Sequence, residues 1–555
     1  MRGALRASIA PFLPSTQDYR GLRSSWRGDI VAGITVGIVA LPLALAFGVS
    51  SGVGAEAGLI TAIVAGFVAA VFGGSHVQVS GPTGAMVVVL APIVAHHGVG
   101  AVAVVSLLAG GIVLVAGLLR LGRTVSYIPW PVIEGFTAGI GIIIFLQQVP
   151  AAVGMGGQSH ATNPVIGALE AVTRADWPAA FLPLTAVVSV AVIALLLGAI
   201  NQHLPGSFIA IVLVTAVAAW LALPLATIGE LPRALPAPAL PAFDLADLTE
   251  LVGPAFAVAA LAAIESLLSA RVAGSITDTG RFDADRELVG QGLASLASGF
   301  FGGMPATGAI ARTAVNVRSG ARTRAAAIVH ALALLAVVSL AASVVATIPL
   351  AALSGVLMVT AARMVSPRII TLVMRSTRSD AIVFLLTAII TISFDLIVAV
   401  GIGVAAAAFF ALRTLSRTGG VHREELPGDP GPGDERIAMF RIDGSLFFGA
   451  AERLLEQLAD HHGTDHHQTD VVLIRLSQLQ LLDATGARAL AELVATLEER
   501  GVTVLIKGIR PEHLPLLTKL GVIGSLRQPD HVFAELPPAI SHARAHVAGT
   551  FTTGE

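Results

Sequence analysis

The sequence predicts an all-α membrane domain followed by a smaller α/β domain. Of its 555 residues, 55% are hydrophobic and 13% are charged, and the mean hydropathy is +0.81, whereas about a quarter of the residues in a soluble domain are charged. The apolar residues fall in repeated runs of roughly 20, long enough for a helix to cross a bilayer core of ~30 Å. After Leu415 the composition becomes that of a soluble domain. Most of the chain therefore belongs in a lipid bilayer.

Apolar runs between turn-forming and charged clusters predict about fourteen transmembrane spans, seven in each half of the membrane domain. The first seven are Ile30–Phe47, Ala57–Phe72, Pro82–Ala95, Val99–Leu119, Val132–Val149, Ala180–Ile200 and Phe208–Leu223. The second seven are Leu251–Val272, Leu288–Phe301, Gly308–Val317, Ala325–Ile348, Leu350–Met364, Asp380–Phe394 and Leu396–Leu412.

Two short spans occupy matching places in the two halves. Phe72-Gly73-Gly74 leads into Pro82-Thr83-Gly84-Ala85, and Phe301-Gly302-Gly303 leads into Pro305-Ala306-Thr307-Gly308-Ala309. Because each half has seven spans, an odd number, the second half is predicted to be inverted relative to the first. Short spans interrupted by Gly and Pro at matching places of an inverted repeat mark the binding site of a transporter. Chance recurrence in a chain with 58 glycines is the alternative.

Arginine placement predicts the orientation, because positively charged short loops stay in the cytoplasm. With fourteen spans, nearly all loop arginines fall on the side of the N-terminus. We therefore expect a multi-pass protein of the plasma or inner membrane with both termini and the α/β domain in the cytosol. The loops on that side carry Arg120 and Arg123, Arg271 to Arg286, Arg318 to Arg324, Arg363 to Arg378, and Arg413 to Arg423.

These observations divide the chain into five segments. We expect a cytosolic N-terminal segment (1–28), a transport domain (29–416), a Gly/Pro/charged linker (417–435), an α/β domain (436–545) and a C-terminal tail (546–555). Periodicity predicts the elements of the α/β domain. Its strands are Ile437–Ile442, Val471–Leu476 and Val502–Ile506, and its helices are Ala450–Ala459, Gly486–Glu499 and Glu512–Leu520.

The string Ser80-Gly81-Pro82-Thr83-Gly84 predicts an anion-binding helix start. A helix N-terminus offers free backbone N–H groups and a partial positive charge. Ser80 is expected to cap the helix, Thr83 to add a hydroxyl donor, and Gly84 to let an anion approach the backbone.

The second half presents a similar start, with the backbone of Ala309 and Ile310 at its tip and Arg312 one turn further. If the two starts meet, as an inverted repeat predicts, their positive ends enclose one anion site near the bilayer midplane. The alternative is a pair of ordinary capped helix starts with Arg312 reaching toward the cytoplasm.

Glu265 is an isolated carboxylate in the apolar stretch Ala262–Ser269. A charge at the bilayer centre costs about 2.5–3.5 kcal/mol on insertion scales, so such a residue is protonated, paired, or facing a polar cavity. Ser269 follows one helical turn later on the same face and would complete a Na⁺ or proton site. A structural ion pair with Arg312 or Arg271 is the alternative.

Several strings together resemble the SulP family of anion transporters, with a STAS domain at the C-terminal end. The resemblance extends over nearly the whole chain. It rests on Leu41-Pro42-Leu43-Ala44-Leu45-Ala46-Phe47-Gly48, Ala55-Glu56-Ala57-Gly58-Leu59, Gln78-Val79-Ser80-Gly81-Pro82-Thr83, Ala263-Ile264-Glu265-Ser266-Leu267-Leu268 and Arg312-Thr313-Ala314-Val315-Asn316.

The resemblance implies a seven-plus-seven inverted repeat, the fold shared with uracil permeases, in which a mobile core domain carries the anion site between the third and tenth spans and moves against a gate domain. The pattern is most similar to the cyanobacterial sodium-dependent bicarbonate transporters, so bicarbonate leads over sulfate and dicarboxylates. In those relatives an acidic residue and a hydroxyl that match Glu265 and Ser269 help bind Na⁺. A further threonine is replaced here by Ile310, which weakens the case for Na⁺ and strengthens that for H⁺.

The STAS resemblance implies that the C-terminal domain regulates or dimerises the transporter, so we expect a homodimer. Asp483-Ala484-Thr485-Gly486 is similar to the phosphorylatable turn of bacterial anti-sigma antagonists, with Thr485 at the phosphoacceptor position. The same turn also makes a plain helix N-cap.

Other functions fit the sequence less well. A passive anion channel or exchanger has no need of Glu265, and a nucleobase permease of the same fold has no need of Arg312. Scattered basic residues give no nucleic-acid-binding patch, and zero cysteines exclude thiolate chemistry. We expect no enzymatic activity and no cofactor beyond Na⁺ as a candidate coupling ion.

Overall fold

The computed structural model describes residues 12–123, 128–155, 163–201, 204–241, 245–280, 282–393, 396–418, 420–446 and 469–549. The chain divides into two compact units, Met1–Val404 and Ala405–Glu555. The predicted helix Ala450–Ala459 lies outside the described residues.

Each of the fourteen predicted spans contains a helix, which confirms the predicted seven-plus-seven arrangement at the level of helices. The first half comprises α1 (Leu22–Ser50), α2 (Ala55–Phe72), α3 (Gly84–His97), α4 (Gly100–Leu118), α5 (Trp130–Ala152), α6 (Trp177–Ile200) and α7 (Gly206–Trp220). The second half comprises α8 (Leu245–Ser275), α9 (Ala284–Phe300), α10 (Ile310–Arg318), α11 (Ala325–Val345), α12 (Leu350–Met364), α13 (Arg378–Ser393) and α14 (Leu396–Thr418).

Helix length separates the spans into two groups. In the described part of the chain, eight helices are long and apolar enough to cross a membrane, with α12 counted together with the short helix Pro367–Arg375 that follows it. By contrast, α3 has 14 residues and α10 has nine. At 1.5 Å per residue neither covers a full bilayer core. They are the half-helices at the candidate site because they follow the two repeated Gly/Pro strings.

The fourteen helices pack as two bundles. We call α1–α4 with α8–α11 the core bundle, and α5–α7 with α12, α13 and the part of α14 before residue 405 the gate bundle. Gly403 of α14 lies against Thr387 of α13 and Val132 of α5. Helices pack mainly within their own bundle, and the bundles meet where α3 lies against α5 and where α1 lies against α7 and α12. Glycines allow close packing inside the core bundle, since a Cβ on Gly58 of α2 would lie 2.1 Å from the Ala44 carbonyl oxygen of α1. Small residues at such contacts are typical of membrane helix pairs.

A short 3₁₀ helix, Thr16–Tyr19, precedes α1 and ties the N-terminal segment to the core bundle. Asp18 is 7% exposed and accepts two hydrogen bonds from Arg286, of 2.7 and 2.8 Å. Arg324 lies 3.5 Å from the same carboxylate and also donates to the carbonyl of Gly73. Two arginines that the sequence places in cytosolic loops are therefore bound in one buried ionic cluster.

The C-terminal unit contains a six-stranded sheet with strand order β3-β4-β5-β7-β8, and β6 also pairs with β4. The β3–β4 pair is antiparallel and the remaining pairs are parallel. The elements are β3 (Gly420–Glu424), β4 (Ile437–Leu446), β5 (Val471–Arg475), β6 (Leu479–Leu482), α15 (Ala484–Glu499), β7 (Thr503–Lys507), α16 (Leu514–Lys519), β8 (Val532–Phe533) and α17 (Leu536–Val547).

The predicted strands of the α/β domain correspond to β4, β5 and β7, and two of its predicted helices correspond to α15 and α16. These three strands are buried on both faces by separate apolar clusters, as is typical of parallel sheets. Sequence periodicity missed β3, which lies inside the segment predicted as a linker, and the short strands β6 and β8. Short edge strands carry too few residues for an alternating pattern to be recognised.

Asp483 is the N-cap of α15. Its side chain accepts a 2.8 Å hydrogen bond from the N–H of Gly486. Thr485 is exposed in the first turn of the helix. The turn therefore forms a conventional cap and also leaves the Thr485 hydroxyl at the surface.

Candidate anion-binding site

A two-stranded antiparallel pairing brings the N-termini of the two half-helices together. Ser80 pairs with Gly308 and Gly81 with Thr307 in β1 (Ser80–Gly81) and β2 (Thr307–Gly308). The strands end just before α3 and α10, whose N-cap residues are Thr83 and Ala309. Neither N-cap supplies a side-chain acceptor, so within the described part of the chain the N–H groups of both first turns have no capping side chain.

The register of this pairing decides which backbone donors are free. The N–H of Ala309 donates to the carbonyl of Val79 over 2.9 Å, which removes it from the set of free donors predicted from the sequence. The N–H groups of Gly84 and Ile310 have no hydrogen-bond acceptor among the described residues. The Ile310 side chain is 40% exposed, so this residue contributes its backbone rather than its side chain to the site.

Ser80 is not the helix cap that the sequence predicts. It lies in β1, and its buried hydroxyl accepts a 2.6 Å hydrogen bond from Gln291 on α9. The helix begins four residues later because Pro82 disfavours helical geometry at the residue before it. Ser80 therefore contributes to the site by anchoring β1, with its hydroxyl proton still available to an acceptor.

Arg312 carries the full positive charge of the site. Its side chain is 2% exposed, and Nη2 donates to the carbonyl of Pro82 over 2.6 Å. Nη1 is buried and has no hydrogen-bond partner among the described residues. Gly81 has φ +152°, and a Cβ there would lie 2.8 Å from Nη1, so glycine leaves space beside this unpaired donor. An unpaired guanidinium N–H inside a protein is costly, which points to a ligand at this position.

Glu265 on α8 reaches the tip of α3. The Thr83 hydroxyl donates to Glu265 Oε2 over 2.8 Å. Glu265 forms no salt bridge with Arg312 in the described part of the chain, since Arg312 donates to Pro82 instead. The carboxylate is half-buried and lies within the same cluster of groups as the candidate anion donors.

Ser269 lies one turn beyond Glu265, as the sequence predicts, but its hydroxyl contacts Thr313 of α10 at 3.2 Å. Thr313 in turn accepts from the N–H of Val79 over 3.1 Å. Ser266 is placed similarly, since it lies 3.1 Å from the Thr307 hydroxyl and accepts from the N–H of Gly308. These two serines therefore fasten α8 to β2 and α10.

Sequence reasoning missed the group that positions β1. The buried carboxylate of Glu287 on α9 accepts four hydrogen bonds, from the N–H groups of Gly74 and Ser75 and from the side-chain amides of Gln78 and Gln291, with lengths of 2.8 to 3.0 Å. Gln291 also donates to Ser80. Glu287 directly precedes the predicted span Leu288–Phe301 and follows Asp285 and Arg286, so in the sequence it resembles an ordinary loop charge. The available signal was Gln291, a polar residue one turn later inside the span.

This arrangement is that of an inverted-repeat membrane transporter, with its candidate site between two half-helix N-termini and the buried guanidinium of Arg312. The chain belongs to the sulfate permease family, whose profile matches residues 26–387, and a STAS domain matches residues 432–537. Its curated relatives are transporters. The putative sulfate transporter YvdB of Bacillus subtilis is 33% identical over 500 residues, with 89% of this chain and 93% of the relative covered. The bicarbonate transporter BicA of Synechocystis is 32% identical over 523 residues, with coverages of 89% and 90%.

Solved structures agree with the fold. The transmembrane domain of a cyanobacterial bicarbonate transporter BicA aligns with a TM-score of 0.61 at 33% identity, covering 69% of this chain and 97% of that one. The overall structure of SLC26A9 aligns with a TM-score of 0.82 at 18% identity, covering 99% and 95%. At that identity the second similarity concerns the fold alone.

Proposed function

We propose that this protein is a secondary active transporter that moves a small anion together with a cation across the cell membrane by motion of the core bundle against the gate bundle. The observation that carries the proposal is the unpaired Nη1 of buried Arg312. It lies beside Gly81, in the β1–β2 pair that precedes both α3 and α10. The N–H groups of Gly84 and Ile310, at the starts of these helices, have no acceptor among the described residues. Backbone donors and a guanidinium together are the groups that bind an oxyanion.

Glu265 supplies the coupling in this proposal. Its hydrogen bond from Thr83 links the carboxylate to the N-cap of α3, so its protonation or cation binding changes the electrostatics of the anion site directly. A cation that neutralises Glu265 favours anion binding, because an ionised carboxylate next to the site repels an anion. Cation binding that strengthens anion binding is what symport requires.

We favour H⁺ over Na⁺ as the coupling ion. The Ser269 hydroxyl is engaged with Thr313, and Ile310 offers no side-chain oxygen. Hard cations require several oxygen ligands, whereas a single carboxylate suffices for a proton. Na⁺ held by Glu265 and Ser269 is the competing arrangement.

For the substrate we favour bicarbonate, with sulfate or a dicarboxylate as competitors. One similar relative bears the name of a bicarbonate transporter and another that of a putative sulfate transporter. We further propose that both termini are cytosolic, and that the STAS domain mediates dimerisation or regulation. Thr485 is its candidate phosphoacceptor, because the residue is exposed at a helix N-terminus where a phosphate is stabilised.

The test is uptake of labelled bicarbonate, sulfate and fumarate into proteoliposomes with an inward H⁺ gradient, an inward Na⁺ gradient, or neither. Wild type is compared with Glu265→Gln and with the control Glu134→Gln, which removes a carboxylate that accepts from Trp130 on α5. We expect gradient-driven accumulation of one anion in wild type and in the control. In Glu265→Gln we expect accumulation to be lost while exchange of anion for anion persists.

If the anion flux is the same with and without each gradient and is unchanged in Glu265→Gln, symport is excluded and a channel or exchanger remains. Inhibition of uptake by uracil, with no anion accumulated, would identify a nucleobase permease instead.

A further inference from the structure

Gly84, the first residue of α3, lies directly against a side chain of the gate bundle. An ideal Cβ on Gly84 would lie only 2.2 Å from Ile144 Cδ1 and 3.4 Å from Cγ1 of the same side chain. Ile144 belongs to α5 and is 2% exposed. The terminal methyl of Ile144 therefore fills the space that the missing side chain of Gly84 leaves open.

The direction of this contact places Ile144 at the candidate anion site. A Cβ on a helix points back toward the helix N-terminus, so the atom that would touch it covers the N-terminal flank of α3. This flank carries the free N–H of Gly84 and follows the Thr83 hydroxyl. Phe47 of α1 lies 3.4 Å from the same Cβ position through Cε1. Gly84, at the candidate anion site, is thus contacted by an apolar side chain from each bundle.

The side chains of Phe47 and Ile144 should move differently relative to Gly84 during transport. Phe47 and Gly84 belong to the core bundle and keep their distance if that bundle moves as a body. Ile144 belongs to the gate bundle, and the α3–α5 contact is one of the few places where the bundles meet. Movement of the core against the gate must carry the Gly84 N–H past Ile144 Cδ1.

We propose that Ile144 is the size filter of the transporter, and that its Cδ1 methyl restricts the cargo to single-centre oxyanions such as bicarbonate or sulfate and excludes four-carbon dicarboxylates. The inference rests on the proposed function, since it assumes an anion at the tip of α3. A methyl group at 2.2 Å from the Gly84 Cβ position leaves no room for a carbon chain extending from the bound carboxylate toward the gate. Specificity arises here from steric exclusion of the larger anion.

Substitutions of graded size test this filter. Ile144→Val removes the Cδ1 atom alone, and Ile144→Ala removes every side-chain atom beyond Cβ. The control is Ile140→Ala, which makes the same truncation one turn earlier on α5 at a residue that is 1% exposed. Uptake of bicarbonate, sulfate and fumarate is measured for each in proteoliposomes, with thermal melting to verify folding.

We expect the ratio of fumarate to bicarbonate uptake to rise by about tenfold in Ile144→Val, since one methylene in a pocket changes selectivity by roughly 10–200-fold, and by more in Ile144→Ala. Ile140→Ala should keep the wild-type ratio. An equal change in Ile140→Ala, no change in Ile144→Ala, or wild-type uptake of fumarate as fast as that of bicarbonate would overturn the proposal. Absence of any anion uptake by wild type would instead overturn the proposed function.

A compensation experiment tests the contact itself. Gly84→Ala forces its new Cβ onto Ile144 Cδ1, so we expect it to lower uptake strongly. The double variant Gly84→Ala/Ile144→Val should recover much of that loss, because the colliding methyl is gone. Gly84→Ala/Ile140→Val should not recover it. Equal recovery by both double variants would show that Ile144 is not the residue that faces Gly84 during transport.

Discussion

The Thr83 hydroxyl donates to Glu265 Oε2 over 2.8 Å, which joins the N-cap of one half-helix to a carboxylate on a helix of the other half. Thr83 is therefore in contact with both parts of the proposed mechanism. It precedes the free N–H of Gly84 on the anion side, and it holds the carboxylate on the cation side. Coupling two ligands requires a group whose state depends on both.

Loss of the Thr83 hydroxyl should uncouple the two sites. Thr83→Val keeps the shape of the side chain and removes the donor, so we expect gradient-driven uptake to fall by about tenfold, in line with ~1.5–3 kcal/mol for a hydrogen bond to a charged group. Thr83→Ser retains the hydroxyl and should stay near wild type. The check is uptake at several H⁺ gradients. Equal loss in both variants would indicate a packing role for the methyl group rather than a role for the hydrogen bond.

Arg312 should be required for anion affinity. Arg312→Gln removes the charge and leaves the Pro82 carbonyl without its 2.6 Å donor, so we expect at least a hundredfold loss of transport. Arg312→Lys retains a charge without the planar fork that bonds two groups at once, and should be intermediate with a raised KM. Arg318→Gln, at the exposed end of α10, is the control. An unchanged KM in Arg312→Lys and Arg312→Gln would remove Arg312 from the anion site.

The Asp18 cluster should stabilise the core bundle in a pH-dependent way. Burial by itself raises the pKa of Asp18, but hydrogen bonds from Arg286 and Ser15 and the charges of Arg324 and Arg286 outweigh it and lower the pKa to about 2. A pKa below the ordinary ~3.9 means that the stabilisation is present above about pH 4 and is lost as the pH falls toward about 2. The shift corresponds to about 2.5 kcal/mol at neutral pH.

Asp18→Asn should therefore lower the melting temperature at pH 7, and the difference from wild type should narrow by pH 3. Asp278→Asn, in an exposed loop, should melt like wild type at both values. Thermal unfolding of the detergent-solubilised protein measures this. A difference that is independent of pH would show that shape rather than charge is responsible.

Gly486, in the first turn of α15, should not tolerate substitution by a residue with a side chain. A Cβ on Gly486 would lie 2.1 Å from the carbonyl oxygen of Leu446, and a backbone atom cannot rotate away. Gly486→Ala should therefore separate α15 from β4 and increase hydrogen exchange in both elements. Gly524→Ala meets only a carbonyl oxygen at 3.7 Å and should leave exchange unchanged. Unaltered exchange in Gly486→Ala would contradict the close contact.

The identities of the elements were largely predictable from the sequence. Runs of apolar residues predicted fourteen helices, because a chain in lipid must satisfy its backbone hydrogen bonds within each span. The repeated Gly/Pro strings predicted the two half-helices, and the isolated Glu265 and Arg312 were recognisable because a charge in an apolar span is costly. These signals are local, so a single sequence contains them.

What those residues touch was decided by the tertiary structure. The register of β1 against β2 takes the Ala309 N–H out of the site, Gln291 binds the Ser80 hydroxyl, and Ser269 pairs with Thr313. Each partner lies in a different structural element, tens to hundreds of residues away in sequence, and a hydroxyl or amide has no preference that identifies such a partner in advance. The contact of Ile144 with Gly84 is of the same kind. Periodicity determines which face of a helix is apolar, but only the packing of two bundles determines which methyl group meets which glycine.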